Sequence, residues 1–323
     1  MTSVSSSGAS NTVQTQKNLE SDTQPTPYAN LTGQIRLLER HYIAAGGFSY
    51  IYKGEWTDPT NPSHPTPVAI KVLRASGYTG NDIQHKLKQR LERESRLWHS
   101  FSHPNVLPFL GLVTDATFGA VVPALVSPFC ERRSVLEYIV KHPEITRRPV
   151  ILGIARGLQY FHNRDAVHGD LKAANILMSE SGEPLLADFG RSKVIGHSGY
   201  TTDFACVWRY LASEIMDDAA SAYSIQDSKK QPITTKATDI WAFGLVGVEV
   251  LASEEVFPKQ KQHMQLIMHI AGGGKPVKKD YKKLVQLEAD TLWPVLEKCW
   301  ADKPSDRPSM DDILKMLQDV SLN

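Results

Sequence analysis

The sequence is short of charge bias, of cysteine and of long apolar runs, and each shortage closes off a class of function. Thirty-six Lys and Arg stand against 35 Asp and Glu in 323 residues, a formal net charge of +1. That balance removes the main electrostatic argument for a nucleic-acid or anionic-membrane partner, since both favour strongly basic surfaces. The three cysteines, Cys130, Cys206 and Cys299, are odd in number and far apart. They imply no disulfide framework and are too scattered for a structural zinc site. The opening MTSVSSSGAS has no apolar signal core and no glycine after Met1, and the final Ser-Leu-Asn is no prenylation box. Residues 105–126 are apolar but broken by two prolines, an aspartate and two glycines, and the 13-residue run 240–252 carries Glu249. Neither reads as a membrane span. A soluble protein of a reducing compartment is expected, in the cytoplasm or the nucleus.

What is present divides the chain in two. Residues 1–30 hold 17 Ser, Thr, Asn and Gln and a single aromatic, Tyr28. Such a segment cannot bury enough apolar surface to offset its ordering entropy, so residues 1–34 are expected to form a disordered tail. From Ile35 the composition is globular. Residues 41–73 alternate and turn like a strand meander interrupted by a Pro-rich turn, and two more strands are expected over 106–130. Residues 81–100 place Ile83, Leu87, Leu91 and Leu97 near a helical period. Helices are expected at 134–141, 149–163, 238–252, 261–271, 289–300 and 309–320. A strand-rich first third before a helical remainder predicts an α+β fold of two unequal lobes. No internal repeat is present.

Four short motifs stand in one order. AAGGFS at 44–49 is a small-residue turn between strands, which lets backbone N–H groups approach phosphates. VAIK at 68–71 ends an apolar strand in a lysine. HGDLKAAN at 168–175 sets Asp170, Lys172 and Asn175 within six residues, and DFG at 188–190 adds a carboxylate thirteen residues after Asn175. Alone, each is an ordinary turn or strand end. Together they meet the needs of phosphoryl transfer, which asks for positioned phosphates, a metal and a group to receive the hydroxyl proton. Asp188 and the Asn175 carboxamide offer the oxygen ligands Mg2+ prefers. Lys71 can neutralise α- and β-phosphates provided a carboxylate holds it in place, Asp170 can orient the attacking hydroxyl, and Lys172 can balance charge on the moving group.

With these motifs the sequence resembles the eukaryotic protein kinases over roughly residues 36–320, and most resembles their tyrosine-kinase-like group of Ser/Thr kinases. Further matches are GFSYIYKG at 47–54, HPNVLPFLG at 103–111, TKATDIWAFG at 235–244, and CW followed by DRPSM over 299–310. The resemblance implies a β-sheet small lobe over about 35–126, a hinge over 127–132 and a mainly helical large lobe over 133–320. It implies that Lys71 pairs with a helix glutamate, Glu94 with Glu92 as runner-up. It places Ala44, Gly46, Gly47, Phe48 and Ser49 over the phosphates and Ser127 as a small gatekeeper. Pro128, Phe129 and Cys130 would face the adenine edge, and Ile51, Ala69 and Leu177 would sandwich its ring. Trp98, Phe109, His168 and Phe189 would stack between the lobes, Asp239 would hold the catalytic-loop backbone, and Glu214 would pair with Arg307.

The chain departs from the family pattern at several positions. Ala44 and Ser49 replace two of three glycines, Gly169 stands where an arginine usually pairs with a phosphorylated activation segment, and Ser213 replaces a proline. Val207 stands where Ser/Thr kinases place a threonine, and a valine cannot make its hydrogen bond. The Asp-Leu-Lys of 170–172 points to Ser/Thr acceptors, with Tyr left open. Ser192, Ser198, Tyr200, Thr201 and Thr202 are candidate phosphosites, though hydroxyl residues are ordinary in loops. The leading expectation is an Mg-ATP-dependent protein kinase acting on a protein substrate. The alternatives are a pseudokinase scaffold that binds nucleotide or partners and, less favoured, a small-molecule kinase. GGGKP at 272–276 is no phosphate loop, KPVKKDYKK at 275–283 reads as a solvated face, and the oligomeric state is not legible.

Overall fold

The structure is a computed structural model that describes residues 27–75, 82–115, 117, 119–194, 208–215 and 234–320. The readings made on residues 1–26, Ser198, Tyr200, Thr201, Thr202, Cys206, Val207 and 216–233 fall outside them.

The small lobe is one antiparallel sheet in the order β1-β3-β4-β6-β5, with β2 paired to β3. Its strands are β1 (Ile35–Leu37), β2 (Ala44–Ala45), β3 (Ser49–Trp56), β4 (Thr66–Leu73), β5 (Gly111–Val113) and β6 (Ala124–Pro128). Successive side chains of a strand point to opposite faces. On β4, therefore, Val68, Ile70 and Val72 pack with Val113, Ala124 and Val126 on one face. Lys71 and Leu73 are left for the other, where α1 (Ile83–His99) lies. That helix buries Leu87, Leu91, Glu94, Ser95, Leu97 and Trp98 and leaves Lys88, Arg93 and Arg96 exposed.

Residues 27–34, expected as part of the tail, are folded. Leu31 is only 3% exposed within the small-lobe core. Its N–H donates to Leu112 O (2.8 Å), while Leu112 N–H donates to Ala29 O (2.9 Å). Tyr28 sets its ring edge-on to Phe109 and His99. Residues 27–34 therefore belong to the folded lobe, because two apolar anchors and an edge-strand pairing outweigh the polar composition around them.

The large lobe contains α2 (Val135–Lys141), α3 (Arg147–His162), α4 (Lys236–Ala252), α5 (His263–Ala271), α6 (Gln286–Lys298) and α7 (Met310–Asp319). Two short ribbons join them, β7 (Ala166–Val167) with β10 (Lys193–Val194) and β8 (Ile176–Met178) with β9 (Pro184–Leu186). α3 begins two residues before the expected 149. Its first N–H groups, from Arg147 and Arg148, donate to the distant Glu288 carboxylate, a cap that local sequence cannot announce. α4 is apolar all round and buried from Thr238 to Ala252, as a central helix must be. A Cβ on its Gly244 or Gly247 would stand 2.4 Å from Trp300 or 2.5 Å from Leu296, so the two glycines let α4 and α6 approach closely.

Glu249 is fully buried in this helix. Its carboxylate accepts from the Tyr210 hydroxyl (2.9 Å) and from Val256 N–H (3.0 Å). Burial nevertheless pushes the carboxyl up to about 7 from an ordinary 4.5. A carboxyl whose folded value is raised stabilises the fold while protonated, fully below its unfolded value, and loses that contribution as pH rises through the folded one. Wild-type stability is therefore expected to fall between about pH 4.5 and about pH 7, and Glu249→Gln to lack that fall. Urea midpoints across this range test it; an unchanged pH slope in the variant would assign the titration elsewhere.

Candidate active site

The site is built around a loop that leaves β7 and is held by a buried carboxylate. Asp239, in the first turn of α4 and 2% exposed, accepts from His168 N–H (Oδ2, 2.8 Å) and Gly169 N–H (Oδ1, 2.9 Å). His162 Nε2 lies 3.1 Å from Oδ2. A carboxylate buried without such partners would be costly, so these bonds fix the loop backbone against the central helix. His168 itself is fully buried, and burial holds its imidazole below its ordinary value despite nearby carboxylates. Neutral, it donates from Nε2 to Ala187 O (3.1 Å) and accepts Asp170 N–H at Nδ1 (3.3 Å). Both nitrogens are spent on structure.

Asp170 is thereby presented with its two oxygens in different settings. Oδ2 receives Lys172 Nζ (3.1 Å) and Asn175 Nδ2 (3.1 Å). Oδ1 is buried and accepts no hydrogen bond. Asn175 Nδ2 also donates to Asp170 O (2.8 Å), which leaves its carboxamide oxygen for another ligand. A buried carboxylate oxygen without a hydrogen-bond donor is uncommon, and Arg191 Nη1 stands 3.7 Å from this one.

Lys71 faces this loop from β4. Its Nζ lies 2.5 Å from Glu94 Oε1 and 2.6 Å from Asp188 Oδ1. Burial alone would pull the ammonium down, but the Asp188 and Glu94 carboxylates outweigh it and hold the group up at about 12. Burial likewise opposes ionisation of Asp188, yet Lys71, with Lys172 beyond it, keeps that carboxyl well below the usual carboxylate range. Of the two glutamates left open by spacing, Glu94 points inward, whereas Glu92 is exposed. Asp188 adopts a left-handed backbone (φ 64°), a conformation that aspartate tolerates better than most residues and that turns the chain into Phe189.

Ala44 and Ala45 pair with Ile51 and Tyr50, and Gly46 N–H closes the hairpin on Ser49 O at 2.9 Å. Gly47 is exposed at its tip, and Phe48 lies beneath the Arg90 and Arg191 guanidinium groups, 4.7 and 5.6 Å from its ring centre. Ile51, Ala69 and Leu177 are half-buried. Ser127 lies opposite Ala69 in the β4–β6 ladder. Phe129 N–H continues the sheet edge by donating to Pro67 O (3.0 Å), and its ring lies 4.3 Å from Lys53 Nζ. Its amide is therefore engaged within the small lobe, and Pro128 has none. Burial pushes the Cys130 thiol up to about 11, so it is no nucleophile.

An aromatic column crosses behind the cleft. Phe109 and Trp98 are 5.2 Å apart, Trp98 and Phe189 5.3 Å, and Phe189 and His168 5.9 Å. Arg307, its side chain fully buried, makes two 2.7 Å bonds to Glu214 and a third to Ala237 O, tying the segment before α4 to the large lobe. Sequence reasoning missed Arg90 and Arg191 as neighbours of the site. The strands that bring Arg191 there are two residues long, and no periodicity betrays so short a ribbon.

Among the described residues no three His, Cys, Asp or Glu side chains cluster as a closed metal cage. The oxygens of Asp188 and Asn175 fit instead a hard cation that keeps much of its own water, as Mg2+ does. Beside a cationic Lys71 and the unsatisfied Asp170 oxygen, that donor set suits a polyphosphate and an acceptor hydroxyl.

Comparisons with known proteins agree. The family model for protein tyrosine and serine/threonine kinases matches residues 37–317. The chain is 26% identical over 287 residues to serine/threonine-protein kinase STY46 of Arabidopsis thaliana, covering 87% of this chain and 44% of that one. It is 27% identical to the mixed lineage kinase domain-like protein of Homo sapiens, over 84% of this chain and 54% of that one. To LRR receptor kinase SERK2 of Oryza sativa it is 26% identical, over 88% and 46%. The chain thus spans about half the length of the curated relatives it matches.

Gly169 has φ +74°, and a Cβ there would stand 2.9 Å from Arg191 O. Gly169→Ala is accordingly expected to cost about 1–3 kcal/mol. Urea unfolding measures this, and an unshifted midpoint would mean that the loop relaxes freely.

Proposed function

The chain belongs to the protein tyrosine and serine/threonine kinase family, and from that membership we propose that it transfers the γ-phosphate of ATP to Ser or Thr hydroxyls of a protein substrate. The observation that carries the proposal is the Asp170 carboxylate, one oxygen bound by Lys172 and Asn175 and the other buried and unsatisfied. That second oxygen accepts the acceptor hydroxyl and then its proton, as the hydroxyl oxygen bonds to the γ-phosphorus and ADP departs. Lys71, held by Glu94, binds the α- and β-phosphates, and Lys172 balances charge on the phosphoryl group in flight. Asp188 and Asn175 would hold Mg2+, which supplies charge neutralisation on the phosphates when bound. The adenine would lie between Ile51, Ala69 and Leu177, with Ser127 leaving room behind it. The names of relatives such as STY46 and STY17 support Ser/Thr over Tyr.

One observation favours the second reading, a nucleotide-binding scaffold: Asp188, the metal ligand of the first reading, is engaged by Lys71 at 2.6 Å. Transfer from γ-labelled Mg-ATP to the protein itself and to a generic basic protein separates the two. Asp170→Asn is expected to lower transfer about 100-fold or more with Mg-ATP affinity within about twofold, because it removes an acceptor for the hydroxyl and no nucleotide ligand. Asp188→Asn is expected to weaken both. Undiminished turnover in Asp170→Asn would remove its assigned role, and a folded wild type that binds Mg-ATP without transfer would favour the scaffold.

A further inference from the structure

Glycine at 169 has a counterpart on the facing strand. β7 and β10 pair Val167 with Lys193 and Ala166 with Val194. The same antiparallel course carries Ser192 past His168 and Arg191 past Gly169. Ser192 Oγ donates to His168 O (2.8 Å), and Arg191 O fills the space that a side chain at 169 would need. Beyond the glycine the Arg191 side chain, 11% exposed, brings Nη1 to 3.7 Å from Asp170 Oδ1. This is the oxygen that accepts no hydrogen bond. The Phe48 ring covers the same guanidinium at 5.6 Å and that of Arg90 at 4.7 Å.

We propose that Arg191 is a positioning residue for Asp170. The proposal rests on the phosphotransfer reading and deepens it. Lys172 and Asn175 hold Oδ2, and the guanidinium attracts Oδ1 from the other side, so the carboxylate cannot swing about its Cβ–Cγ bond. At 3.7 Å the contact is too long for a hydrogen bond, and the Oδ1 lone pair stays open to an acceptor hydroxyl. A guanidinium cannot be deprotonated in a protein, so this charge is present whenever β7 and β10 are paired. The orientation of Asp170 thus comes from within the ribbon, where a side chain at Gly169 has no room to supply it. Phe48 adds a link to the glycine-containing hairpin, which closes over the cation that orients the carboxylate.

The test uses the full chain and γ-labelled Mg-ATP with a basic acceptor protein. Arg191→Met keeps the length and removes the charge; kcat is expected to fall about tenfold or more, with Mg-ATP affinity and thermal midpoint close to wild type. Arg191→Lys is expected to recover at least about a third of kcat, and methylguanidine to raise the rate of Arg191→Ala, as packing alone would not allow. Should Arg191→Met fail to fold, Arg191→Gln carries the same comparison. An unchanged kcat in the neutral variant would overturn the proposal. So would a raised kcat, which would make the contact a block on Asp170, or parallel loss of kcat and Mg-ATP affinity. A wild type without transfer would instead remove the phosphotransfer reading beneath it.

Discussion

The Asp239 carboxylate is the constraint on which the site depends. It sits at the positive end of α4, where the helix dipole favours an anion, and its oxygens take the His168 and Gly169 amides and face His162. Burying that charge is tolerable only with all these partners, so the loop backbone has little choice of path. Once His168 and Gly169 are fixed, Asp170 follows, and with it Lys172 and Asn175. The helix that carries Asp239 is itself fixed by packing on every side, most closely at Gly244 and Gly247 against α6. A helix buried from Thr238 to Ala252 thus positions the loop that carries Asp170.

The small lobe reaches the same point by another route. Strand alternation sends Val68, Ile70 and Val72 to one face of β4 and Lys71 to the other, and the helical period of α1 brings Glu94 round to meet it. The pair is buried and would cost free energy if either partner were lost. Asp188 is the third member, and the residue after it, Phe189, stands in the aromatic column between Trp98 and His168. A shift of α1 would therefore disturb Lys71 and the column together.

Much of this was legible in the sequence because the chemistry depends on residue types at fixed short spacings. Asp170, Lys172 and Asn175 lie within one loop, and Lys71 and Asp188 each end or follow a strand. The choice between Glu94 and Glu92 was not settled by spacing, since it depends on which helix face meets the sheet. Tyr28 and Leu31 were hidden in a polar stretch, because composition averages away two anchors that tertiary contacts make decisive. The Glu288 cap on α3, the use of the Phe129 amide by Pro67 and the approach of Arg191 to Asp170 each join residues far apart in the chain. No local pattern encodes such partners.

Asp239 holds the loop at His168 and Gly169 in the free protein, without nucleotide. Amide hydrogen exchange at His168 and Gly169, without nucleotide and with Mg-ATP, tests it most directly. Both amides are expected to exchange as slowly as the buried core of α4, with little change on adding Mg-ATP. Fast exchange in the free protein, slowed only by nucleotide, would contradict it.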